Sequence, residues 1–258
     1  MPQSKSISWE NVAARTWPIL TAAASNGTTM SYKDLGSKIG LHYRSVKYAL
    51  GVIYHYCLQT GLPPLTGIVL RQDSGAPGRG FTAWDNDDLD TGLARVFAEN
   101  WSIRPNPFTG FGSEDTVRSL ADRIVQNPDR SGEVYRQIRD RGVAQRIFRE
   151  ALLRAYDHKC AMCNLSFEKA LEAAHIVPFH ECSIDQRINV TNGLLLCATH
   201  HRLFDEDCFS IEADYTIVYY DPELSDGPYT RSDKAISSDL HGKKLRVPEL
   251  QKHRPIFP

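Results

Sequence analysis

Two pairs of potential metal ligands constrain the folding of this chain more than any other feature. Cys160 and Cys163 form a Cys-x-x-Cys pair, and Cys197 and His200 form a Cys-x-x-His pair. A structural zinc ion takes four such ligands in a tetrahedron, so one ion can join both pairs. The 33 residues between the pairs (164–196) would then fold as an insertion closed at its base by zinc. The alternative is four reduced side chains that bind no metal.

The composition is ordinary for a globular protein that does not enter a membrane. The chain has 258 residues, a formal net charge of −1 and six cysteines. Three of these cysteines, together with His200, are clustered in the two ligand pairs. Such clustering favours metal binding over disulfides. No run of eighteen apolar residues exists, and the N-terminal segment has helical periodicity rather than the pattern of a signal peptide. We therefore expect a cytoplasmic protein with one or two domains.

The insertion contains a second set of polar residues next to the first. We expect a strand over Leu171–Ile176 that ends near His175, a partner strand over 194–196, and a helix over about 198–206. Successive helical residues point about 100° apart, so His201 faces away from the zinc when His200 faces it. Asp205 lies four residues later and shares the face of His201. This pair is a plausible half-site for a hard divalent cation, and His175 would approach the same cleft.

These residues carry a specific resemblance to a known family. Ala174-His175-Ile176-x-Pro178, followed by the run from Asn192 to Asp205, resembles the HNH or ββα-metal endonucleases. The nearest branch is the restriction enzymes that have Leu-Glu-Ala-Ala-His at the first histidine. The resemblance covers about residues 145–215, with a looser similarity over 242–258. It implies hydrolysis of a nucleic-acid phosphodiester with one catalytic divalent ion, Mg²⁺ or Mn²⁺.

Carried onto this chain, the resemblance assigns a role to each site residue. His175 would be the general base, since its ordinary pKa lies near neutrality. The carbonyl of Asn192 would fix the imidazole tautomer through the distal nitrogen, and His201 and Asp205 would hold the catalytic ion. Arg202 is more simply a surface arginine.

One position departs from the family pattern. Ala174 stands where many members have a metal ligand. Either His201 and Asp205 hold the ion alone, or Glu172 contributes from the same strand face. A protein that retains only the zinc and a binding role is a further alternative.

The N-terminal third has a basic charge and a helix-turn-helix pattern. Residues 1–84 contain eight Lys/Arg and three acids, a net charge of +5. A helix begins at Ser31 and ends at Gly40, and a second helix extends from about His42 to Thr60. A β-rich stretch over Leu65–Arg71 and a glycine-rich loop over 73–81 would then form the wing of a winged helix.

Residues 31–81 weakly resemble the DNA-binding half of the alkyltransferase-like family. The reactive Pro-Cys-His-Arg of that family is absent, which excludes alkyl transfer and leaves DNA binding. The resemblance implies DNA contacts from the start of the recognition helix and from the wing. The alternative is a solvated helix face with structural tyrosines. The candidate DNA-binding residues are His42, Tyr43, Arg44, Ser45, Lys47 and Arg79.

Together these observations predict an α+β chain with two domains. We expect a winged-helix-like specificity domain over 1–104 with a closing helix at 85–101, a linker over 105–113, and a zinc-stapled HNH nuclease domain over 114–258. Within the latter we expect helices at 114–126 and 132–156 and an irregular tail at 222–258. The predicted function is a DNA endonuclease of restriction or defence type, acting as a homodimer on double-stranded DNA. The alternatives are a zinc-containing DNA-binding protein and an RNase that uses the same site.

Overall fold

The computed structural model describes residues 7–78, 80–84, 88–138 and 140–257. The chain divides into two compact units, the first comprising residues 1–116 with 138–143 and the second 117–137 with 144–258. Helices and short two-stranded sheets are mixed along the chain, as expected for an α+β protein. Among the described residues, no helix has both the length and the apolar character needed to cross a membrane.

The first unit is mainly helical. Its elements are α1 (Trp9–Ser25), β1 (Met30–Ser31), α2 (Tyr32–Ile39), α3 (Val46–Gln59), β2 (Val69–Leu70) and α4 (Leu89–Ala98). Strands β1 and β2 pair in parallel over two residues each. The predicted closing helix over 85–101 corresponds to α4. Residues 85–87 lie outside the part of the chain that the structure describes.

An aromatic cluster forms the core of the first unit. The ring of Trp17 on α1 meets the rings of Tyr56, Trp101 and Phe108 edge-on, with centroid distances of 5.7, 6.0 and 6.0 Å. Phe108 is fully buried and Phe111 is nearly so. Both belong to the stretch 105–113 that we predicted as a linker, so this stretch packs within the first unit instead of forming a free connection.

The helix pair α2–α3 follows the predicted helix-turn-helix pattern, whereas the predicted wing does not. The Ser31 hydroxyl caps α2 by accepting from the Asp34 amide, and Gly40 ends the helix with φ = 70°. The β-rich stretch was predicted wrongly over Leu65–Ile68, which forms a 3₁₀ turn after Pro64. In the part that the structure describes, the following loop has one isolated bridge, Leu70 to Pro77. The winged helix thus stays a prediction, and Arg79 lies outside the described residues.

Trp84 packs directly against two glycines, one in the 3₁₀ turn and one in α4. A Cβ atom at Gly92 would lie 2.4 Å from the indole ring, and one at Gly67 would lie 2.5 Å from it. A methyl group cannot approach an aromatic ring so closely, so any side chain at these positions displaces Trp84.

Replacement of Gly92 by alanine is expected to destabilise the protein by about 1–3 kcal/mol, because overpacking outweighs the better helix propensity. The matched control is Gly51→Ala in α3, where an added Cβ meets no atom within 4 Å. That variant should gain about 0.5–1 kcal/mol. Urea unfolding of both variants measures the difference, and equal gains would contradict the packing of Trp84.

The C-terminal part of the chain contains the remaining elements. They are α5 (Val117–Gln126), α6 (Ser131–Ile138), α7 (Arg141–Ala155), β3 (Leu171–His175), β4 (Gly193–Cys197), α8 (Ala198–Asp205), β5 (Phe209–Ile211), β6 (Ile217–Tyr219) and α9 (Arg231–Ala235). The single helix predicted over 132–156 was wrong, since two helices occupy this range. The second begins after Asp140, whose carboxylate accepts from the Val143 amide at 2.9 Å and acts as an N-terminal cap. The tail beyond 222 is mostly turns, with α9 as a short helix.

The hairpin β3–β4 and helix α8 form a continuous ββα unit. The strands are antiparallel, with Leu171 opposite Cys197 and His175 opposite Gly193. Helix α7 packs closely on the His175 end, because a Cβ at Gly193 would lie 2.5 Å from the Phe148 ring. The hairpin therefore presents two ends, one beside Cys197 and the other beside His175.

Candidate metal centres and active site

The four predicted zinc ligands converge at the base of the hairpin. Cys160 and Cys163 lie in the turn after α7, Cys197 ends β4, and His200 lies in the first turn of α8. Their ligand atoms all lie within 4.8 Å of one another. The Nδ1 atom of His200 is 3.1 Å from Cys197 Sγ and 3.7 Å from Cys160 Sγ, and the sulfurs of Cys163 and Cys197 are 3.9 Å apart.

This arrangement fits a tetrahedral zinc ion. Zinc bonds of about 2.3 Å to sulfur and about 2.0 Å to nitrogen place neighbouring ligand atoms roughly 3.5–3.8 Å apart. His200 and Cys160 are almost fully buried. The thiol of Cys163, the His200 ring and the amides of Cys163 and Cys197 hydrogen-bond to Cys160, which holds the pKa of Cys160 below its ordinary value. A thiolate is the form that binds zinc, so the donor set suits the metal.

His200 and His201 face different surroundings, as the helical geometry predicts. His200 is buried among the thiols, whereas the side chain of His201 is 22% exposed and faces Glu172 on β3. The distance from His201 Nδ1 to Glu172 Oε2 is 2.6 Å. One peptide bond therefore separates a residue of the cysteine cluster from a residue at the surface.

A second polar group surrounds His201. Besides the Glu172 contact at Nδ1, the Nε2 atom lies 3.5 Å from Oδ2 of Asp205, one helical turn later. The two carboxylates flank opposite edges of the ring and are about half exposed, at 50% and 55%. A carboxylate can only accept, so Nδ1 donates to Glu172, while Nε2 faces Asp205.

His175 lies at the other end of β3 and faces the other side of the strand. Side chains alternate along a strand, so Glu172 and His175, three residues apart, point to opposite faces. The His175 ring lies 4.5 Å from the Phe148 ring of α7. The structure thus brings His201, Asp205 and Glu172 together and places the His175 side chain on the opposite face of β3.

The structure shows a hydrogen-bond partner for the His175 ring that the sequence did not predict. The His175 Nε2 atom is 2.9 Å from the backbone carbonyl oxygen of Arg187. The Asn192 carbonyl instead accepts from the Val177 amide at 2.9 Å, and its amide nitrogen donates to the carbonyl of Gln186. Asn192 therefore holds the loop between the strands, and that loop carries the carbonyl which orients His175.

The same segment matches a known family. Residues 160–212 match the family model described as HNH endonuclease. The matched segment contains the cysteine cluster, the β3–β4 hairpin and α8. This segment is similar to the HNH endonucleases. A comparison with the curated proteins found no significant match.

Two residues that contact His175 were not identified from the sequence. The guanidinium of Arg187 lies between the rings of Tyr135 and Phe179, at 5.1 Å from each centroid, and donates to the Tyr135 hydroxyl. This packing fixes the position of the Arg187 carbonyl. The sequence around Phe148 has the apolar periodicity of a helix, and nothing in it indicates the contact with His175. The packing of Arg187 between two aromatic rings leaves no recognisable sequence pattern, because Tyr135 and Phe179 lie 52 and 8 residues away.

Three further charged or titratable side chains near the HNH site are at the surface. Arg202 forms an ion pair with Glu206 and has 75% of its side chain exposed, as predicted for a surface arginine. His180 is 80% exposed beside Glu181. His158 pairs with Glu168 at 2.8 Å.

The predicted DNA-binding residues lie at the start of α3. Tyr43 and Tyr48 are exposed at 44% and 51%. His42 stacks on Tyr43 at 4.4 Å, and Arg44 donates to the Tyr43 hydroxyl. Ser45 immediately precedes α3 without capping it through its side chain. These residues lie in the first unit.

Proposed function

We propose that this protein is a metal-dependent DNA endonuclease of restriction or defence type. The observation that supports the proposal most strongly is the group of His201, Glu172 and Asp205, placed one residue beyond a cysteine–histidine cluster in an HNH domain. The cluster anchors the start of α8, and α8 presents His201 and Asp205 to solvent. A rigid support of this kind is what a catalytic site needs.

His201 and Asp205 would hold the catalytic cation. Ligand atoms at about 2.1 Å from an octahedral ion lie roughly 3.0 Å apart when they are neighbours. The observed 3.5 Å between His201 Nε2 and Asp205 Oδ2 is close to this distance, and a small rotation of the exposed Asp205 side chain closes the difference. When bound, Mg²⁺ or Mn²⁺ supplies a positive charge that stabilises the transition-state phosphate.

Glu172 would position His201 without binding the cation itself. Its carboxylate contacts the Nδ1 atom, which lies on the opposite edge of the ring from the proposed metal-binding Nε2 atom. Carboxylates that accept the distal proton of a ligand histidine fix its tautomer and raise its basicity. This role accounts for a site in which Ala174 stands at a position that often provides a ligand.

His175 would act as the general base. A backbone carbonyl can only accept, so the Arg187 oxygen holds the proton on Nε2 and leaves the basic lone pair on Nδ1. That nitrogen would take a proton from the attacking water.

Cleavage of supercoiled plasmid tests this function directly. Purified protein should nick or linearise plasmid with Mg²⁺ or Mn²⁺, and EDTA should stop the reaction. Plasmids prepared with and without base modification, and an RNA substrate, identify the nucleic acid that is cut. A protein that binds DNA and zinc and cuts none of these substrates would instead be a zinc-containing DNA-binding protein. Because cutting both strands needs two active sites, we also propose a homodimer, which light scattering with DNA would measure.

The role of Glu172 gives a separate prediction. The Glu172→Ala variant should need about 10–100-fold more Mn²⁺ for half-maximal cleavage, since the ligand histidine loses its partner. The Glu172→Gln variant should recover most of this loss, because an amide oxygen still accepts the Nδ1 proton. Zinc content should stay unchanged.

The matched control is Glu181→Ala, which removes an exposed carboxylate that also lies beside a histidine, His180. It should leave the Mn²⁺ requirement unchanged. If glutamine at position 172 behaves like alanine, Glu172 is a direct ligand and the positioning role is wrong.

A further inference from the structure

The outer edge of β3 has backbone carbonyls that β4 does not reach. One pair beyond the hairpin register, the Ile176 amide donates to the backbone carbonyl of Asn192. Because bonded and non-bonded pairs alternate along an antiparallel ladder, Leu171 and Ala173 direct their carbonyls away from β4. Both residues are buried. Carbonyls at a buried edge need donors from elsewhere in the molecule.

Two side chains of α7 supply these donors. The Nε atom of Arg149 donates to the Leu171 carbonyl at 2.8 Å, and its Nη2 atom donates to the Glu168 carbonyl. The amide of Gln145 donates to the Ala173 carbonyl at 3.4 Å, a longer bond. The planar guanidinium of Arg149 therefore joins two carbonyls three residues apart and fixes the start of β3 to the 3₁₀ turn before it.

The spacing of these donors matches the spacing of the strand. Gln145 and Arg149 lie four residues apart on α7, which corresponds to a rise of about 6 Å. Leu171 and Ala173 lie two residues apart on β3, which corresponds to about 6.7 Å. Both bonds can therefore form at once. Along this edge, one face of α7 takes the place of a third strand.

The partners of Arg149 distinguish it from the next arginine on the same helix face. Arg154 bonds to the carboxylates of Asp122 and Glu150, at 2.8 and 2.7 Å. In the part of the chain that the structure describes, Arg149 forms no ion pair and donates to backbone carbonyls. Its donors thus act on the position of the backbone.

The two anchored residues of β3 lie on either side of Glu172. The Glu172 carboxylate contacts His201 Nδ1 at 2.6 Å, although half of its side chain is exposed. A half-exposed side chain has little packing of its own to orient it. Its direction toward His201 therefore depends on the backbone of Leu171 and Ala173.

We propose that Arg149 is a positioning residue of the nuclease site, with a smaller contribution from Gln145. By fixing the edge of β3, it holds Glu172 where the carboxylate meets His201. The proposal rests on the proposed function, in which Glu172 orients a metal-binding His201. It places the control of that histidine on α7, one contact further from the cation.

The test uses donor-removing variants of the full-length protein. Arg149→Met and Gln145→Met keep a long side chain and remove its donors, whereas Arg149→Lys keeps a charged donor without the planar fork. Arg154→Met is the matched control, because it removes the same side chain from α7 at a position that bonds to carboxylates and not to β3. Arg149→Met is also made in the Glu172→Ala background.

Two readouts are compared. The first is the Mn²⁺ concentration for half-maximal plasmid cleavage. The second is NMR of the His201 ring nitrogens, recorded without Mn²⁺ or DNA at a pH where the ring is neutral, which shows the nitrogen that carries the proton. The second readout does not depend on nuclease activity.

Arg149→Met should raise the Mn²⁺ requirement by about tenfold, the lower end of the effect of losing a partner of a ligand histidine. Gln145→Met should raise it less, Arg149→Lys should recover part of the loss, and Arg154→Met should have no effect. The ring proton should lie on Nδ1 in the wild type and move toward Nε2 in Arg149→Met. In the Glu172→Ala background, Arg149→Met should add nothing, because both changes remove the same interaction.

An unchanged Mn²⁺ requirement and an unchanged proton position in Arg149→Met would overturn the proposal. An equal increase of the Mn²⁺ requirement with and without Glu172 would also overturn it, since that result shows general loosening of the fold. Should Arg149→Met fail to fold, Gln145→Met in both backgrounds decides by the same criteria. Failure of wild-type cleavage together with a moved proton in Arg149→Met would reject the nuclease function and leave the positioning role standing.

Discussion

Replacement of His175 by alanine is expected to lower the rate of plasmid cleavage by about 10²–10⁴-fold, the usual contribution of a general base. The expectation follows from the hydrogen bond between Nε2 and the Arg187 carbonyl, which presents Nδ1 as the basic atom. Rates are measured under single-turnover conditions with saturating Mn²⁺. DNA affinity in EDTA should change little, because the base acts on water and not on DNA.

His180→Ala is the matched control, since it removes a histidine from the same loop whose side chain is 80% exposed. It should cut at the wild-type rate. Because His175 stacks on Phe148, the melting temperature and zinc content of His175→Ala must match those of the wild type. Equal cleavage by a folded His175→Ala protein would remove the general-base assignment.

Loss of the proposed zinc ligand Cys197 is expected to unfold the HNH-like segment. Structural zinc contributes about 10–16 kcal/mol in small zinc domains, which is comparable to the whole stability of a typical domain, about 5–15 kcal/mol. Cys197 also ends β4 and starts α8, so its loss releases both elements. Cys197→Ser should bind less than one equivalent of zinc by metal analysis and should lose the cooperative thermal transition of this domain.

The control for the zinc prediction is Cys208→Ser. Cys208 is a free, partly exposed thiol eleven residues further on and lies outside the four-residue cluster. It should leave the zinc content and the melting temperature unchanged. A zinc-free Cys197→Ser protein with wild-type stability would show that the cysteine cluster does not support the fold.

Each pair of metal-ligand candidates was predictable from sequence because the geometry within a pair is local. When two residues separate two ligands, both ligands lie in one turn. That turn can bring them to the same ion without contacts from distant parts of the chain. The same holds for His201 and Asp205, which lie one helical turn apart on α8. The ββα order also followed from local patterns, since the apolar run after Asn192 forms β4 and the next residues form α8.

The orientation of His175 could not be predicted, because it depends on a backbone carbonyl. Every residue type has one, so nothing at position 187 distinguishes it as a partner. The contact between Glu172 and His201 joins two elements 29 residues apart and depends on how α8 lies on the hairpin. The sequence could suggest that Glu172 contributes to the site. It could not show which nitrogen of the His201 ring Glu172 contacts.

A cavity of about 750 Å³ beside the start of α3 was also hidden in the sequence. Lys47, Tyr48, Tyr54 and His55 have the spacing of an ordinary solvated helix face. The cavity depends on a loop residue, Phe81, that meets Tyr54 across 27 residues, with ring centroids 5.4 Å apart. Side chains that line a space between distant segments leave no periodic signal in either segment.

The adjacency of His200 and His201 restricts how this segment can vary in length. Insertion of one residue between them would turn the second imidazole by about 100° and carry it away from Glu172. Deletion of either would leave one metal centre without a ligand. Related chains should therefore tolerate amino-acid replacement around this dipeptide far better than any gain or loss of a residue within it.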